Sequence, residues 1–443
     1  MPSPVVPRCP NRSRPVLLAF LLGLVFLGLL SACSESPVPA EPSAYAYLLE
    51  VELTVKDTRA QVERRTGGEV VSWQPEAGFA VVGVAAGAAN ELTLQGEYDA
   101  NDDAVVAPEL QADAALVWAG KHRAWSSKHR AWSSGWTTWL EVDGIAFEEN
   151  LALWEQVRLP AARALTPSGG AGVKVAVIDT GLDLHHPAFA GKLAPAHEWY
   201  DFVDGDTYPQ EEGDNGAGYG HGTAMAGIVL QVAPNVTLLP LRVLNPEGAG
   251  DLSHVIMAID RAVACGADVI NLSLGTTEKP KTLKKVIEYA LEQGVYVVAS
   301  SGNTGDKKVT YPAAHSRGGK KEHKARFAGV GSVDKHKRKS FFSTYGDKLE
   351  LVAPGENVHT VAPDERVMPV SGTSAAAAVV SGAVALGLTL DTSLEPKLVV
   401  HLNETGVDLS DVNHKTKLGA GLIDIEAFLH RVLLCQTVEC KYK

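Results

Sequence analysis

Three residues that lie far apart in the chain have the types needed to activate a hydroxyl for nucleophilic attack. Asp179 ends an apolar run, His221 stands between two glycines, and Ser374 directly precedes four alanines. A serine hydroxyl is a poor nucleophile until a neutral imidazole takes its proton, and a carboxylate fixes the tautomer of that imidazole. Together, in the order Asp, His and Ser, these residues predict acyl transfer by a serine nucleophile.

Each of these residues has another interpretation when it is taken alone. Asp179 opens an Asp-Thr-Gly triplet, which is typical of aspartic proteases, but their chemistry needs two carboxylates that share a proton. The chain has no second Asp-Thr-Gly or Asp-Ser-Gly, although a homodimer could supply one. A serine that opens a helix is most often an N-cap. An α/β-hydrolase is excluded by the order of the residues and because no Gly-x-Ser-x-Gly surrounds Ser374.

The elements that must position these residues are strands and helices that alternate from about residue 150 onward. Short apolar, β-branched runs predict strands at 173–178, 236–244, 267–274 and 295–300, and apolar residues recur at helical spacing between them. Such alternation predicts a parallel sheet with helices on both faces, with functional groups at the carboxyl ends of the strands. The apolar run 375–390 is rich in small residues, so we expect a buried central helix there.

The order and the local contexts of Asp179, His221 and Ser374 resemble the subtilisin-like serine proteases. The resemblance runs from about residue 154 to 429 and implies a doubly wound α/β fold that hydrolyses polypeptides with these residues as its triad. Ser300-Ser301-Gly302-Asn303 resembles the family's oxyanion segment, so the Asn303 amide and the Ser374 backbone N–H would hold the tetrahedral oxyanion.

The resemblance extends to the edges of the substrate cleft. Ser273, Leu274 and Gly275 resemble the family's substrate-lining strand, and Gly248 and Gly250 resemble the opposite edge. An extended peptide would pair with both edges through its backbone.

The chemistry implied by the resemblance needs no cofactor, although structural calcium is common in the family. A loose acidic cluster of Asp201, Asp204, Asp206 and Asp214 lacks a defined ligand spacing, so no metal is assigned to it. The chain departs from the family where a Met and a Pro usually follow the nucleophile, because Ala375 and Ala378 stand there. Alanine favours a helix, so we expect altered packing that affects the rate and not the type of reaction.

The first 32 residues are expected to be a lipoprotein signal peptide. Three arginines precede an apolar run of 15 residues, which is too short for a spanning helix of about 20 residues. Cys33 follows Leu30-Ser31-Ala32, as in a bacterial lipobox whose cysteine receives a diacylglycerol; an ordinary signal peptide with an incidental Cys is the alternative. Residues 33–44 are rich in Pro and Ser and predict a tether. The protein is therefore expected to be exported and lipid-anchored to the bacterial cell envelope.

Almost all of the net charge of −12 lies in one N-terminal block. Residues 34–117 hold 15 acidic and four basic residues, and the patterns over 45–112 predict a small α+β domain. This domain resembles, more weakly, the family's propeptide, an intramolecular chaperone and inhibitor, so we expect a zymogen.

Residues 113–150 repeat seven residues without change (121–127 and 128–134) and hold five tryptophans. A tandem duplication in a tolerant linker is favoured over a nucleic-acid or membrane contact.

The remaining expectations concern the catalytic domain and its partners. The domain is placed at 151–430, followed by a tail at 431–443. The acidic balance argues against a nucleic-acid binder. Cys435 and Cys440 could form a disulfide, which would leave Cys265 as a buried free thiol. We expect a monomeric serine endopeptidase with polypeptide substrates and its own propeptide as inhibitor. A catalytically silent surface lipoprotein is the alternative, but a binding protein has no need of a triad and Asn303.

Overall fold

The computed structural model describes residues 45, 47–85, 147–213, 216, 218–391, 397–413 and 416–437, with the backbone of four short strands, Val5–Val6, Ser36–Pro37, Ala104–Val106 and Glu109–Ala112. The first two of these strands pair with each other in antiparallel register. Cys33, Asp214, Cys440 and the Trp-rich repeat lie outside the described residues.

Among the described residues, the N-terminal domain is a four-stranded antiparallel sheet with one helix. Its elements are β1 (Tyr47–Glu52), α1 (Arg59–Thr66), β2 (Glu69–Gln74), β3 (Phe79–Val84) and β4 (Ala104–Val106), and the strands lie in the order β2, β3, β1, β4. The helix begins where Gln61 Oε1 accepts the Thr58 N–H at 2.9 Å, and it ends at Gly67, whose φ is 67°. A small apolar core joins Val62 to the sheet. One more strand, β5 (Glu109–Ala112), pairs with the larger domain instead.

The larger domain contains eleven further strands and ten further helices among the described residues. The strands are β6 (Lys174–Asp179), β7 (Tyr200–Asp201), β8 (Thr237–Arg242), β9 (Ala249–Asp251), β10 (Val269–Leu272), β11 (Leu274–Gly275), β12 (Tyr296–Ser300), β13 (Phe327–Val333), β14 (Leu351–Pro354), β15 (Val358–Ala362) and β16 (Arg366–Val370). The α-helices are α2 (Leu151–Gln156), α3 (Leu159–Leu165), α4 (His221–Val232), α5 (Leu252–Ala264), α6 (Lys281–Glu292), α7 (Lys321–Lys324), α8 (Thr373–Leu390), α9 (Leu398–Glu404), α10 (Ser410–Asn413) and α11 (Ile425–Thr437). Short 3₁₀ turns cover Glu148–Asn150, Pro187–Phe189, Ala196–Glu198 and Ala313–His315.

A parallel seven-stranded sheet forms the centre of this domain. Its order is β14, β13, β12, β10, β6, β8, β7, and every pairing within it is parallel. The strands are nearly continuous apolar runs because helices cover both faces: α4 packs on α8, and α5 packs on α6. The predicted α/β fold is therefore confirmed.

The helix α8 is the buried centre of one layer. Among the described residues it is the one helix long and apolar enough to cross a membrane, but 83% of it is buried inside the protein. Its small residues permit this packing: a Cβ on Gly382 would lie 2.6 Å from Val232, and one on Gly387 would lie 2.5 Å from Phe428. The expectation of a buried core helix at 375–390 is confirmed.

The N-terminal domain packs against the outer helices of the larger one. Strand β2 lies on α5 and β1 on α6. Lys285 bridges the domains, with Nζ 3.3 Å from the Glu50 carboxylate and 5.3 Å from the centre of the Phe79 ring. The edge of Phe79 meets the Tyr289 ring at 6.1 Å between centroids. Both domains therefore contribute to one interface of aromatic and charged contacts.

Two details differ from the expectations for the C-terminal part. Helix α11 continues through residue 437 and buries Val432, so the described chain has no break at residue 430. Both Cys265 and Cys435 are disulfide-bonded, so the expectation of a free Cys265 thiol is wrong.

Candidate active site

Asp179 and His221 meet where the central sheet meets the first turn of α4. Asp179 is the last residue of β6 and His221 the first of α4, and Asp179 Oδ1 lies 2.6 Å from His221 Nδ1. The Thr180 N–H donates to the same carboxylate oxygen at 2.8 Å. Both side chains are buried. A carboxylate at Nδ1 fixes the imidazole so that Nε2 can accept a proton.

Gly222 allows this close approach of helix and strand. A Cβ at this position would lie 2.0 Å from the Gly181 carbonyl oxygen and 3.2 Å from the Asp179 Cβ. No side chain fits there, so the glycine after the histidine is required for the contact between Asp179 and His221.

Ser374 lies in the first turn of α8, and a chain of buried polar groups fixes its position. Its Oγ donates to the Ser273 carbonyl at 3.3 Å, and the Ser273 hydroxyl donates back to the Ser374 carbonyl at 3.1 Å. The Asn271 amide donates to the Ser273 hydroxyl at 3.0 Å and accepts from Ser381 at 2.9 Å. The sequence does not predict these contacts of Asn271 and Ser381, although a polar residue inside an apolar strand such as β10 indicates a buried hydrogen-bonding group.

Asn303 is held by the residue before Ser374. Its Oδ1 accepts the Thr373 N–H at 2.9 Å and the Thr373 hydroxyl at 3.1 Å, while that hydroxyl also accepts the Gly302 N–H at 3.1 Å. These bonds fix the orientation of the amide: Oδ1 faces the start of α8, so Nδ2 is the donor on the other side. The start of a helix adds positive potential to the same place.

Two strand edges face each other across a cleft beside Ser374, and β5 lies between them. On one side Gly250 is opposite Leu110, and on the other Leu274 and Gly275 are opposite Ala112 and Gln111. The structure thus brings four of the expected cleft residues, Ser273, Leu274, Gly275 and Gly250, to the two edges. Gly248 is instead in the turn before β9, with φ 80°, and pairs with no strand among the described residues.

Thr310 fills the space between the two backbones that border this cleft near the nucleophile. A Cβ on Gly275 would lie 2.7 Å from Thr310 Oγ1, and one on Gly302 would lie 2.8 Å from Thr310 Cγ2. Thr310 Oγ1 is buried and has no hydrogen-bonding partner in the described part of the chain. We therefore expect Thr310 to limit the depth of a pocket for a substrate side chain between Gly275 and Gly302.

The acidic cluster considered for calcium is occupied by an arginine. Arg242 Nη1 lies 2.7 Å from Asp201 and 3.2 Å from Glu212, and it also contacts Asp204. Asp201 Oδ1 already accepts two backbone N–H groups, from Val203 and Asp204. Burial raises the pKa of Asp201 to about 6, although the charge of Arg242 lowers it. Within the described ranges no group of three or more His, Cys, Asp or Glu could hold a metal ion, so calcium stays a prediction.

Known proteins are similar to this chain over the part that carries the site. The model of the subtilase family matches residues 170–421. Subtilisin DY of Bacillus licheniformis is 35% identical over 272 residues, which cover 58% of this chain and 91% of that protein. Thermitase of Thermoactinomyces vulgaris is 36% identical over 239 residues, which cover 52% of this chain and 79% of thermitase. Subtilisin Savinase of Lederbergia lenta is 35% identical over 284 residues, with 61% and 96% covered.

Proposed function

The chain belongs to the subtilase family and is a subtilisin-like serine endopeptidase; from that premise we propose that Ser374, His221 and Asp179 are its catalytic triad. His221 Nε2 takes the proton of Ser374 Oγ as that oxygen attacks the peptide carbonyl. The imidazolium then gives the proton to the leaving amine, and water releases the acyl group by the reverse sequence. The observation that carries this proposal is the 2.6 Å contact of the buried Asp179 with His221 Nδ1. No step needs a cofactor.

The oxyanion of the tetrahedral intermediate is assigned to Asn303 and the Ser374 backbone. The bonds from Thr373 to Asn303 Oδ1 leave Nδ2 as the donor of that amide, aimed away from the helix start. Such a group needs no reorganisation when negative charge develops on the substrate oxygen, which is the source of its catalytic effect.

The substrate is proposed to bind as a middle strand in the cleft. The backbone pairing of β5 with both β9 and β11 supports this mode, because an extended polypeptide already uses both edges there. Backbone pairing is independent of side-chain identity, so the enzyme would act on many unfolded polypeptide segments.

The same pairing supports a zymogen. With β5 in the cleft, the acidic N-terminal domain excludes other polypeptides, and its docking on α5 and α6 strengthens this inhibition. We infer that the enzyme cuts its own chain within 113–150, just after the segment that occupies the cleft, and that the N-terminal domain then remains as a separable inhibitor.

A single substitution tests both triad and zymogen. In the full-length Ser374→Ala protein, the N-terminal domain should stay covalently joined to the catalytic domain. The parent and the control Ser410→Ala, whose hydroxyl is remote from the site, should both be cut within 113–150. Mass measurement and N-terminal sequencing would detect the cut. A fluorophosphonate probe should label Ser374 in the parent. If the variant and the parent are cut alike, self-processing is wrong; if the parent is active without labelling of Ser374, the triad is wrong.

The cellular location is proposed from the N-terminus alone. Lipidation of Cys33 would anchor the exported enzyme at the cell envelope, since an acylated cysteine with more than one chain binds membranes stably. When cell extracts are separated into detergent and aqueous phases, the parent should be recovered in the detergent phase and the Cys33→Ala protein in the aqueous phase. Cys9→Ala, which alters the signal peptide only, should partition as the parent does. Detergent-phase recovery of the Cys33→Ala protein would refute the anchor. A monomeric state is likewise proposed, and gel filtration of the processed enzyme tests it.

A further inference from the structure

A buried carboxyl that the proposed mechanism does not use lies directly beside the triad. Glu211 is 5% exposed, and its Oε2 accepts the Thr223 N–H at 3.2 Å and the Thr223 hydroxyl at 2.8 Å. Thr223 is the third residue of α4, the helix that begins with His221. The Glu211 N–H donates to the Leu182 carbonyl at 2.8 Å, just beyond the end of β6. Glu211 therefore joins the strand that carries Asp179 to the helix that carries His221.

Helix α4 needs such a partner because it has no cap of its own. Its N-cap is Gly220, which offers no side chain, and all twelve residues of the helix are buried away from water. The first N–H groups of a helix must find acceptors, and a carboxylate there also interacts favourably with the helix dipole. The Thr180 hydroxyl accepts the Gly222 N–H at 2.9 Å, and the Glu211 carboxylate accepts the N–H of the next residue, Thr223.

We propose that Glu211 is a positioning residue of the endopeptidase: it caps the first turn of α4 from a separate loop and so holds His221 Nδ1 in hydrogen-bonding contact with Asp179. This inference rests on the triad proposed above. Glu211 does not touch the substrate or the reacting atoms. It acts through its hydrogen bonds with Thr223 and Thr180 on His221 and Asp179, which are in contact at 2.6 Å.

The charge of Glu211 makes this role dependent on pH. Burial, with a smaller contribution from the Asp179 charge, raises the pKa of Glu211 to about 7, although hydrogen bonds from the Thr180 hydroxyl, the Gly220 N–H and Thr223 favour the charged form. Asp179 and Tyr219 are the titratable groups that interact electrostatically with Glu211. The cap is therefore stronger above neutral pH, where Glu211 is charged.

Kinetics of two variants and one matched control test the proposal. Glu211→Ala should lower kcat about 10- to 100-fold with KM within about twofold, because a small displacement of the imidazole impairs proton transfer but not binding of the peptide backbone. Glu211→Gln keeps an acceptor for Thr223 and should retain most of kcat. The control is Glu212→Gln, whose side chain is half exposed and reaches Arg242, and which should match the parent. Rates are normalised to active-site titration with a serine-directed probe.

The pH profile separates positioning from a merely structural role. In the processed enzyme, kcat should rise near pH 7 as Glu211 becomes charged. The Glu211→Gln variant should lack this rise, because an amide does not ionise. If Glu211→Ala lowers the melting temperature but leaves kcat unchanged, the proposal is overturned. If Glu211→Ala does not fold, superimposable pH profiles of Glu211→Gln and Glu212→Gln overturn it. Absence of labelling at Ser374 in the parent would instead refute the triad, so the two failures are distinct.

Discussion

One carboxyl at the interface of the two domains predicts how pH releases the N-terminal domain. Asp260 lies on α5, where β2 packs, and Ser72 and Gln74 of that strand approach its carboxyl. Its Oδ1 is buried without a hydrogen-bonding partner in the described ranges. Burial raises the pKa of Asp260 from its ordinary value of 3.8 to about 7, and hydrogen bonds from Ser72 and Gln74 only partly oppose this. Tyr289, which interacts electrostatically with Asp260, supplies no positive charge.

The sign of the effect follows from the raised pKa. Protonated Asp260 favours the docked state at low pH, and the penalty for its charge grows as pH rises from about 4 to about 7 and is complete above that. The rise in the pKa of Asp260 from 3.8 to about 7 corresponds to about 4 kcal/mol, or about 1,000-fold in the dissociation constant of the N-terminal domain.

The assay uses the processed protein with its N-terminal domain still bound. After a jump from pH 5 to pH 8, activity on a chromogenic peptide should appear with a lag that shortens steeply as the final pH is raised. Asp260→Asn, which stays neutral, should release its inhibitor slowly at both pH values. Glu76→Gln removes an exposed carboxylate of the same interface and should behave as the parent. If Asp260→Asn keeps the full pH dependence, or if the parent shows none, the reasoning from Asp260 is refuted.

Two further substitutions examine the catalytic site. Asn303→Leu removes the oxyanion donor and should lower kcat about 100- to 1,000-fold with little change in KM, the loss known for such a donor in subtilisin; a change confined to KM would contradict the assignment. Thr310→Gly should deepen the pocket between Gly275 and Gly302, so that kcat/KM for a large aromatic residue before the scissile bond rises about tenfold relative to alanine, as a peptide series would show. An unchanged ratio would mean that Thr310 does not limit that pocket.

The elements that carry the triad could be predicted because their pattern is local. Strands β6, β8, β10 and β12 are apolar and β-branched, and apolar residues recur at helical spacing between them. The sheet, and the place of Asp179 at the carboxyl end of β6, therefore follow from periodicity. The resemblance then supplied His221, Ser374 and Asn303. None of these steps needed a contact between residues that are distant in sequence.

The residues that the sequence did not reveal depend on such distant contacts. Glu211 lies in a polar loop with no periodicity, where a carboxylate is normally solvated, and only the fold buries it beside Thr223. Asp260 occupies a polar position of an amphipathic helix that would face water if β2 did not cover it. The depth of the pocket likewise depends on Thr310, which is more than thirty residues from Gly275. The sequence pattern of one helix, strand or loop does not show which other part of the chain will cover its polar face.

Glu211 and Asp260 together predict that activity rises through neutral pH for two separable reasons. Charging Asp260 weakens the docking of the N-terminal domain and frees the cleft, whereas charging Glu211 strengthens the cap of the helix that holds His221. Enzyme from which the N-terminal domain has been removed should keep the Glu211 component and lose the lag. Full-length Asp260→Asn should keep the lag at high pH, yet show the parent's kcat profile once its inhibitor has dissociated. If removal of the N-terminal domain abolishes the whole rise near pH 7, Asp260 alone accounts for it and Glu211 has no effect on kcat.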